Sequence, residues 1–364
     1  MIVLIRTDSS IQIGSGHVMR CLTLAKQLRN YNVKVYFICR ELEGNMVEYI
    51  RKEGFEVFVL TRVNTALHWE WVRDFWLEDA METIDVIAEI QGSVDMVIVD
   101  HYSIDFKWEG VVRPYTEKMM IIDDLADRKH DTDLLLDQNY YNGLEQRYDN
   151  MVAPSCKLLL GPNFLLLREE FLLSLKTNTD SDTNKLKILL FFGGTDPTGE
   201  TLKVLKAISE IRNIPITMDV IIGEGNPDKQ KIEILCRKIS DCRLYSQVNN
   251  MSELIQKADV GIGAGGTNLW ERCILKLPSL VIITAKNQEE VVNAVSEQGS
   301  IYNLGYYTEI SNTYLKEKLI NFLSEKENFE NMKKSCGELL SLEKIKKQLV
   351  CENIMIKIRA RGEV

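Results

Sequence analysis

The opening stretch MIVLIRTDSSIQIGSGHVMRCLTLAKQL (Met1–Leu28) decides the fold. Met1 to Arg6 is a near-continuous apolar run, as in a strand buried on both faces. Gly14-Ser15-Gly16 then breaks the chain, and a helix starts at His17. Val18, Cys21, Leu22, Ala25 and Leu28 recur at helical spacing and make one apolar face. Strand, glycine turn and amphipathic helix form the opening of a parallel α/β sheet. The same alternation continues outward. Strands are expected at Val33–Cys39, Phe55–Leu60, Met96–Asp100, Met119–Ile122 and Leu134–Leu136, and helices at Glu43–Glu53 and Asp79–Gln91.

The pattern stops at KTNTDSDTNK (Lys176–Lys185), which holds no apolar residue and reads as a linker. It restarts with strand Leu186–Phe192, a glycine turn and a helix from about Gly199. Further strands are expected at Thr217–Ile222, Arg243–Tyr245, Val260–Gly263 and Ser279–Thr284. Helices are expected at Lys229–Ile239, Met251–Lys257 and Asn268–Leu275, with a helical tail from about Glu327. The expectation is an α/β chain of two Rossmann-like, doubly wound domains. Residues 1–170 form the first, 171–185 the linker, 186–345 the second and 346–364 a tail able to pack on either. Such a pair places its ligand in the cleft between the domains, at the carboxyl ends of the strands.

Composition narrows the function. The 364 residues are 45% hydrophobic and 27% charged, enough apolar material for two cores and unlike a disordered chain. A net charge of −9 with no Lys/Arg-rich run argues against nucleic acid as a partner. Apolar runs such as Ile188–Phe192 and Leu280–Ile283 are too short to cross a membrane. Arg6 and Asp8 follow Met1–Ile5 at once, so this segment is expected to be a strand and not a signal peptide. The eight cysteines are scattered, with no C-x-x-C, as expected of buried free thiols in a cytoplasmic protein. Nothing specifies an oligomer, and a monomer is the expectation.

Five turns carry polar residues at the ends of strands. In TDSSIQIGSGHVM (Thr7–Met19) the glycines let a ligand approach the start of a helix. Met19 stands where a dinucleotide fingerprint needs glycine, and Arg40 ends the second strand where NAD binders carry an acid. His17 is suited to taking a proton from water or a hydroxyl near neutral pH; the plain alternative is a helix cap. Asp8, in the same turn, is a candidate to orient it. His101-Tyr102 and Asp123-Asp124 follow strands likewise. The paired acids fit helix capping or an ion pair with Arg128 better than a metal. In the second half, Phe191–Pro197 (FFGGTDP) and Gly263–Asn268 (GAGGTN) each leave a strand and enter a helix. Both suit a diphosphate held by backbone amides, including those of Gly265 to Thr267, without a metal. Glu271, one turn on, can accept from a ribose diol; its alternative is a solvated acid paired with Arg272 or Lys276. Trp69, Trp71, Phe75 and Trp76 form an aromatic cluster suited to a core, a cleft wall or an acceptor patch.

Taken in order, GSGHVMRCLTLA (Gly14–Ala25), VDHYSID (Val99–Asp105), IIDDLADRKHD (Ile121–Asp131), LLLDQN (Leu134–Asn139), LLLGPNFLLLREEF (Leu158–Phe171), FFGGTDP and GAGGTNLWERCILKLP (Gly263–Pro278) resemble the UDP-sugar hydrolases of pseudaminic acid biosynthesis, the PseG family. The resemblance implies the GT-B fold. It also implies cofactor- and metal-independent release of UDP from a UDP-linked 2,4-diacetamido-2,4,6-trideoxy sugar by water, with inversion. It makes His17 the base and puts Tyr102 at the sugar. Amides of Gly266, Thr267 and Asn268 would meet the diphosphate, Glu271 the ribose, and Asn287-Gln288 the donor sugar. Three residues depart from the pattern: Asn268 and Leu269 stand where small hydroxyl residues are expected, and Lys276 where a glycine is usual. An inverting GT-B glycosyltransferase of surface polysaccharide synthesis needs the same base and the same leaving-group stabilisation. A nucleotide-sugar binding module without catalysis is a third reading, in which His17 is dispensable.

Overall fold

Alternating apolar strands and amphipathic helices build two parallel sheets in a computed structural model, which describes residues 1–63, 68–174, 185–246, 248, 250–325 and 327–360. The chain divides into two units, Met1–Leu166 with Glu343–Val364, and Leu167–Leu342.

In the first unit, β1 (Ile2–Thr7) leads to α1 (Gly16–Arg29), β2 (Lys34–Arg40), α2 (Val47–Lys52) and β3 (Glu56–Leu60). Then come α3 (His68–Asp74), α4 (Trp76–Glu89), β4 (Met96–Asp100), α5 (Phe106–Val112), β5 (Met119–Ile122), β6 (Leu134–Asp137) and β7 (Lys157–Leu160). The sheet order is β3-β2-β1-β4-β5-β6-β7. β1 pairs in parallel with both β2 and β4, so the winding direction reverses between β1 and β4. At such a reversal neighbouring crossovers diverge and leave a crevice beyond the strand ends. Both faces are covered: Val3, Ile5 and Phe37 pack under α1 on one side, while Leu4, Ile38 and Val97 pack with α4 and α5 on the other.

The second unit holds α6 (Glu169–Ser174), β8 (Leu186–Phe191), α7 (Glu200–Ser209), β9 (Ile216–Ile222), α8 (Lys229–Lys238), β10 (Cys242–Ser246) and α9 (Met251–Gln256). It continues through β11 (Val260–Ala264), α10 (Thr267–Ile274), β12 (Ser279–Ile283), α11 (Glu289–Glu297), β13 (Tyr302–Tyr306), α12 (Asn312–Ser324) and α13 (Glu327–Leu339). Its order, β10-β9-β8-β11-β12-β13, reverses between β8 and β11. After α14 (Leu342–Lys346), α15 (Leu349–Arg359) places Val350, Cys351, Ile354, Met355 and Ile358 in the core of the first unit, against α1. The tail beyond residue 345 is therefore part of the N-terminal core, whereas α13 packs Phe329 and Met332 into the core of the second unit. Of the expected linker, residues 171–174 belong to α6 and 175–184 lie outside the described residues.

Three of the elements that the sequence did not suggest, β7, α5 and α3, have weak local patterns. β7 is four residues at a sheet edge, α5 contains Gly110, and α3 is rich in aromatic residues of modest helix propensity. Lys276 has a left-handed φ of 55°. Leu277 N–H donates to the Arg272 carbonyl at 2.9 Å, closing the end of α10 with a turn that glycine adopts most easily. All eight cysteines are free thiols, six of them buried. Among the described residues no helix is long and apolar enough to cross a membrane.

Candidate active site

The first candidate site lies at the reversal point of the N-terminal sheet. The glycine turn after β1 starts α1 with His17 in its first turn, and β4 ends on Asp100. β1 and β4 are adjacent, with Thr7 beside Asp100, so residues 83 apart in sequence become neighbours. His17 Nδ1 lies 2.6 Å from Asp100 Oδ1. A carboxylate accepts only, so Nδ1 donates, and in the neutral imidazole the lone pair is on Nε2.

Arg20, one turn along α1, clamps that carboxylate: Nε donates to Oδ2 and Nη2 to Oδ1, both at 2.6 Å. Its Nη1 reaches Asp124 at 2.8 Å. Burial alone would raise the Asp100 pKa, but Arg20 and then His17 hold it far below the usual carboxylate range. Asp100 is therefore a fixed anion. Tyr102 stands edge-on to His17 with ring centroids 4.5 Å apart, and Trp69 from α3 lies 5.4 Å away, stacked on Tyr102. His17 is thus held by an acid on one ring nitrogen and walled by two aromatic rings.

Asp8 does not orient His17. It pairs with Arg6 at 2.5 Å and lies 3.3 Å from His101 Nε2, in a buried network that runs through Asp79 to Arg40. The aromatic cluster divides: Trp69 walls His17, whereas Trp71 stacks on Phe75 under the Arg40 guanidinium. Asp123 pairs with Arg128 at 2.9 Å, as its neighbours in sequence suggested. Sequence alone gave no role to Asp100 or Arg20, and it singled out Asp124 and Trp69 without linking either to His17. Arg20 had a local cue, three residues after His17 on the same helix. Asp100 had only its place as the last residue of a strand.

The second candidate site lies at the β8/β11 reversal of the other unit. Gly266 caps α10 with no side-chain hydrogen bond, so the helix start offers its first amides, from Thr267 and Asn268, as donors. The Gly265 amide, expected for the diphosphate, donates instead to Gln288 Oε1 at 3.2 Å. The same oxygen accepts from Thr284 N at 3.0 Å and Thr284 Oγ1 at 3.1 Å. Gln288 therefore pins the loop through its carbonyl oxygen, while neighbouring Asn287 is exposed. A Cβ on Gly265 would come within 2.3 Å of Val292, so the close approach requires glycine.

Glu271 is buried and pairs with neither Arg272 nor Lys276. Its Oε1 accepts from Arg168 Nε at 3.0 Å and Nη2 at 2.8 Å, and its Oε2 from Asn268 at 2.5 Å. Burial raises its pKa, with Arg168 opposing. Arg168 lies in the LLLGPNFLLLREEF motif, but its contact with Glu271 spans 103 residues and had no local cue. Thus His17 and Tyr102 meet in one unit, while Gly265, Gly266, Thr267, Asn268, Glu271 and Gln288 gather in the other.

Over 98% of this chain and 99% of the other, the structure is similar to MurG of Acinetobacter baumannii, with a TM-score of 0.67 at 12% identity. It matches the spinosyn rhamnosyltransferase SpnG in complex with thymidine diphosphate over 97% of this chain and 99% of that one, with a TM-score of 0.65 at 12% identity. The fold is GT-B. Within it, residues 188–349 match the model of the glycosyltransferase family 28 C-terminal domain. In sequence, the GT-B chain is 27% identical to the UDP-2,4-diacetamido-2,4,6-trideoxy-beta-L-altropyranose hydrolase of Campylobacter jejuni, over 82% of this chain and 97% of that protein.

Proposed function

We propose that this protein is a UDP-sugar hydrolase that releases UDP and a free 2,4-diacetamido-2,4,6-trideoxy sugar, by attack of water at the anomeric carbon with inversion, in pseudaminic acid biosynthesis. The observation that carries the reading is the His17–Asp100 contact at 2.6 Å, which leaves Nε2 as the proton acceptor. The similarity to the Campylobacter hydrolase supplies the sugar.

In this scheme His17 Nε2 takes a proton from water as the oxygen bonds to C1, and the bond from C1 to the diphosphate oxygen breaks. Asp100 stabilises the imidazolium that forms. The departing UDP carries the electron pair. Amides of Gly266, Thr267 and Asn268 at the start of α10 receive its charge, which needs no metal. Glu271 takes the ribose hydroxyls, Tyr102 lines the sugar site, and Asn287 with the Gln288 amide nitrogen addresses the sugar.

An inverting glycosyltransferase is the second reading, favoured by the family 28 match over residues 188–349. One experiment separates them. The protein is incubated without metal with the UDP-diacetamido-trideoxy-altrose in water enriched in oxygen-18, beside His17→Ala. Rapid UDP release with label on the sugar, and loss of about two to four orders of magnitude in the variant, supports the hydrolase. UDP release only after a sugar or lipid acceptor is added makes the protein a transferase.

A further inference from the structure

The Arg272 side chain is 3% exposed and runs along the glycine face of β11. A Cβ built on Gly261 would fall 2.7 Å from its Cδ, and one on Gly263 would fall 2.7 Å from its Nη1. Glycine at both positions makes room for it. The Gly263 Cβ would also meet the Phe191 carbonyl at 2.3 Å, Phe191 being its register partner on β8. The guanidinium therefore stands where two adjacent strands end and both glycine turns, Gly193-Gly194 and Gly265-Gly266, begin.

Nη2 donates to the Ala264 carbonyl at 2.9 Å, while Nε has no hydrogen-bond partner. Among the described residues no carboxylate forms an ion pair with Arg272, and the adjacent Glu271 is engaged by Arg168. Burial pulls its pKa down to about 10, which leaves it charged at neutral pH. Glu271 opposes that shift from a distance, but a buried cation with no carboxylate paired to it is unfavourable, and packing alone is served as well by an apolar side chain. The peptide between Ala264 and Gly265 is also held at both ends, its carbonyl by Arg272 and its N–H by Gln288.

We infer that Arg272 is a positioning residue for a nucleoside diphosphate. Its charge draws the diphosphate to the two glycine turns, and its bond to Ala264 orients the loop whose next amides receive it. The inference rests on the UDP-sugar reading of this site and adds the residue that supplies the missing positive charge.

The test is calorimetric titration of UDP, UMP and uridine into wild type, Arg272→Met, Arg272→Gln and Arg272→Lys, with thermal melts to establish folding. Gln keeps a donor for the Ala264 carbonyl and serves if the Met variant does not fold. The neutral variants are expected to lose about tenfold in UDP affinity, less for UMP, and to keep uridine affinity within about twofold. Lys is expected to recover most of the UDP loss. Equal losses for uridine and UDP, or unchanged UDP binding by Arg272→Gln, overturn the inference while leaving the UDP-sugar reading intact. A wild type without UDP affinity overturns that reading and this one together.

Discussion

His17 donates from Nδ1 to Asp100 across 2.6 Å, and Arg20 holds the same carboxylate through both of its oxygens. The base, the acid that sets its tautomer and the cation that keeps that acid ionised are packed as one unit. Removing any of the three is expected to have a different signature.

Asp100→Asn keeps the shape of the site and removes the charge that favours the Nδ1–H tautomer. Turnover is expected to fall by about two to four orders of magnitude, with UDP affinity changed less than about threefold. Steady-state kinetics beside UDP titration measures both. Equal losses in turnover and UDP binding would make Asp100 a purely structural residue.

Arg20→Met leaves two carboxylates, Asp100 and Asp124, without their shared cation. Breaking a buried ion pair on one side costs about 3–5 kcal/mol, so chemical denaturation is expected to show a loss of that order. Arg20→Met with Asp100→Asn is expected to recover part of it, because one orphaned charge is removed with its partner. The double-mutant cycle reads the coupling directly.

Glu271→Gln removes the acceptor oxygen held by Arg168 or that held by Asn268. UDP affinity is expected to drop about tenfold, while a UDP analogue lacking both ribose hydroxyls is expected to bind wild type and variant alike. A parallel loss for the analogue would place the effect on loop structure and not on ribose contact.

Asp137 gives a pH dependence in the opposite sense to most acids. Burial and then Asp124 raise its pKa to about 7, although Arg147 lies 3.2 Å away. Between about pH 4 and pH 7 the folded chain holds a proton that the unfolded chain releases. The stabilising contribution is complete below pH 4 and is lost as pH rises through 7. Burial raises Glu271, Asp196 and Glu200 as well, so melting at pH 5 and pH 8 is expected to show a wild-type loss that exceeds that of Asp137→Asn by on the order of 2–4 kcal/mol. Asp8, Asp79, Asp100 and Asp123 have lowered pKa values and act in the other sense, below pH 4 and outside this window.

Local periodicity governed what could be read along the chain. The strand Met96–Asp100, the helix entered at His17, and the glycine turns at Gly14, Gly193 and Gly265 were all legible, because apolar spacing and glycine placement act over a few residues. With them came the α/β class and the strand ends where chemistry belongs. Which strand ends meet was set by the order of the strands in each sheet. Placing β4 beside β1 gave His17 its acid from position 100 and left Asp8, nine residues away, to a different network. Placing β11 beside β8 set Arg272 under two glycine turns whose sequences lie some seventy residues apart. Arg168 reaching Glu271 is of the same kind. Ion pairs form across strand neighbours fixed by topology, and sequence distance carries no record of that order.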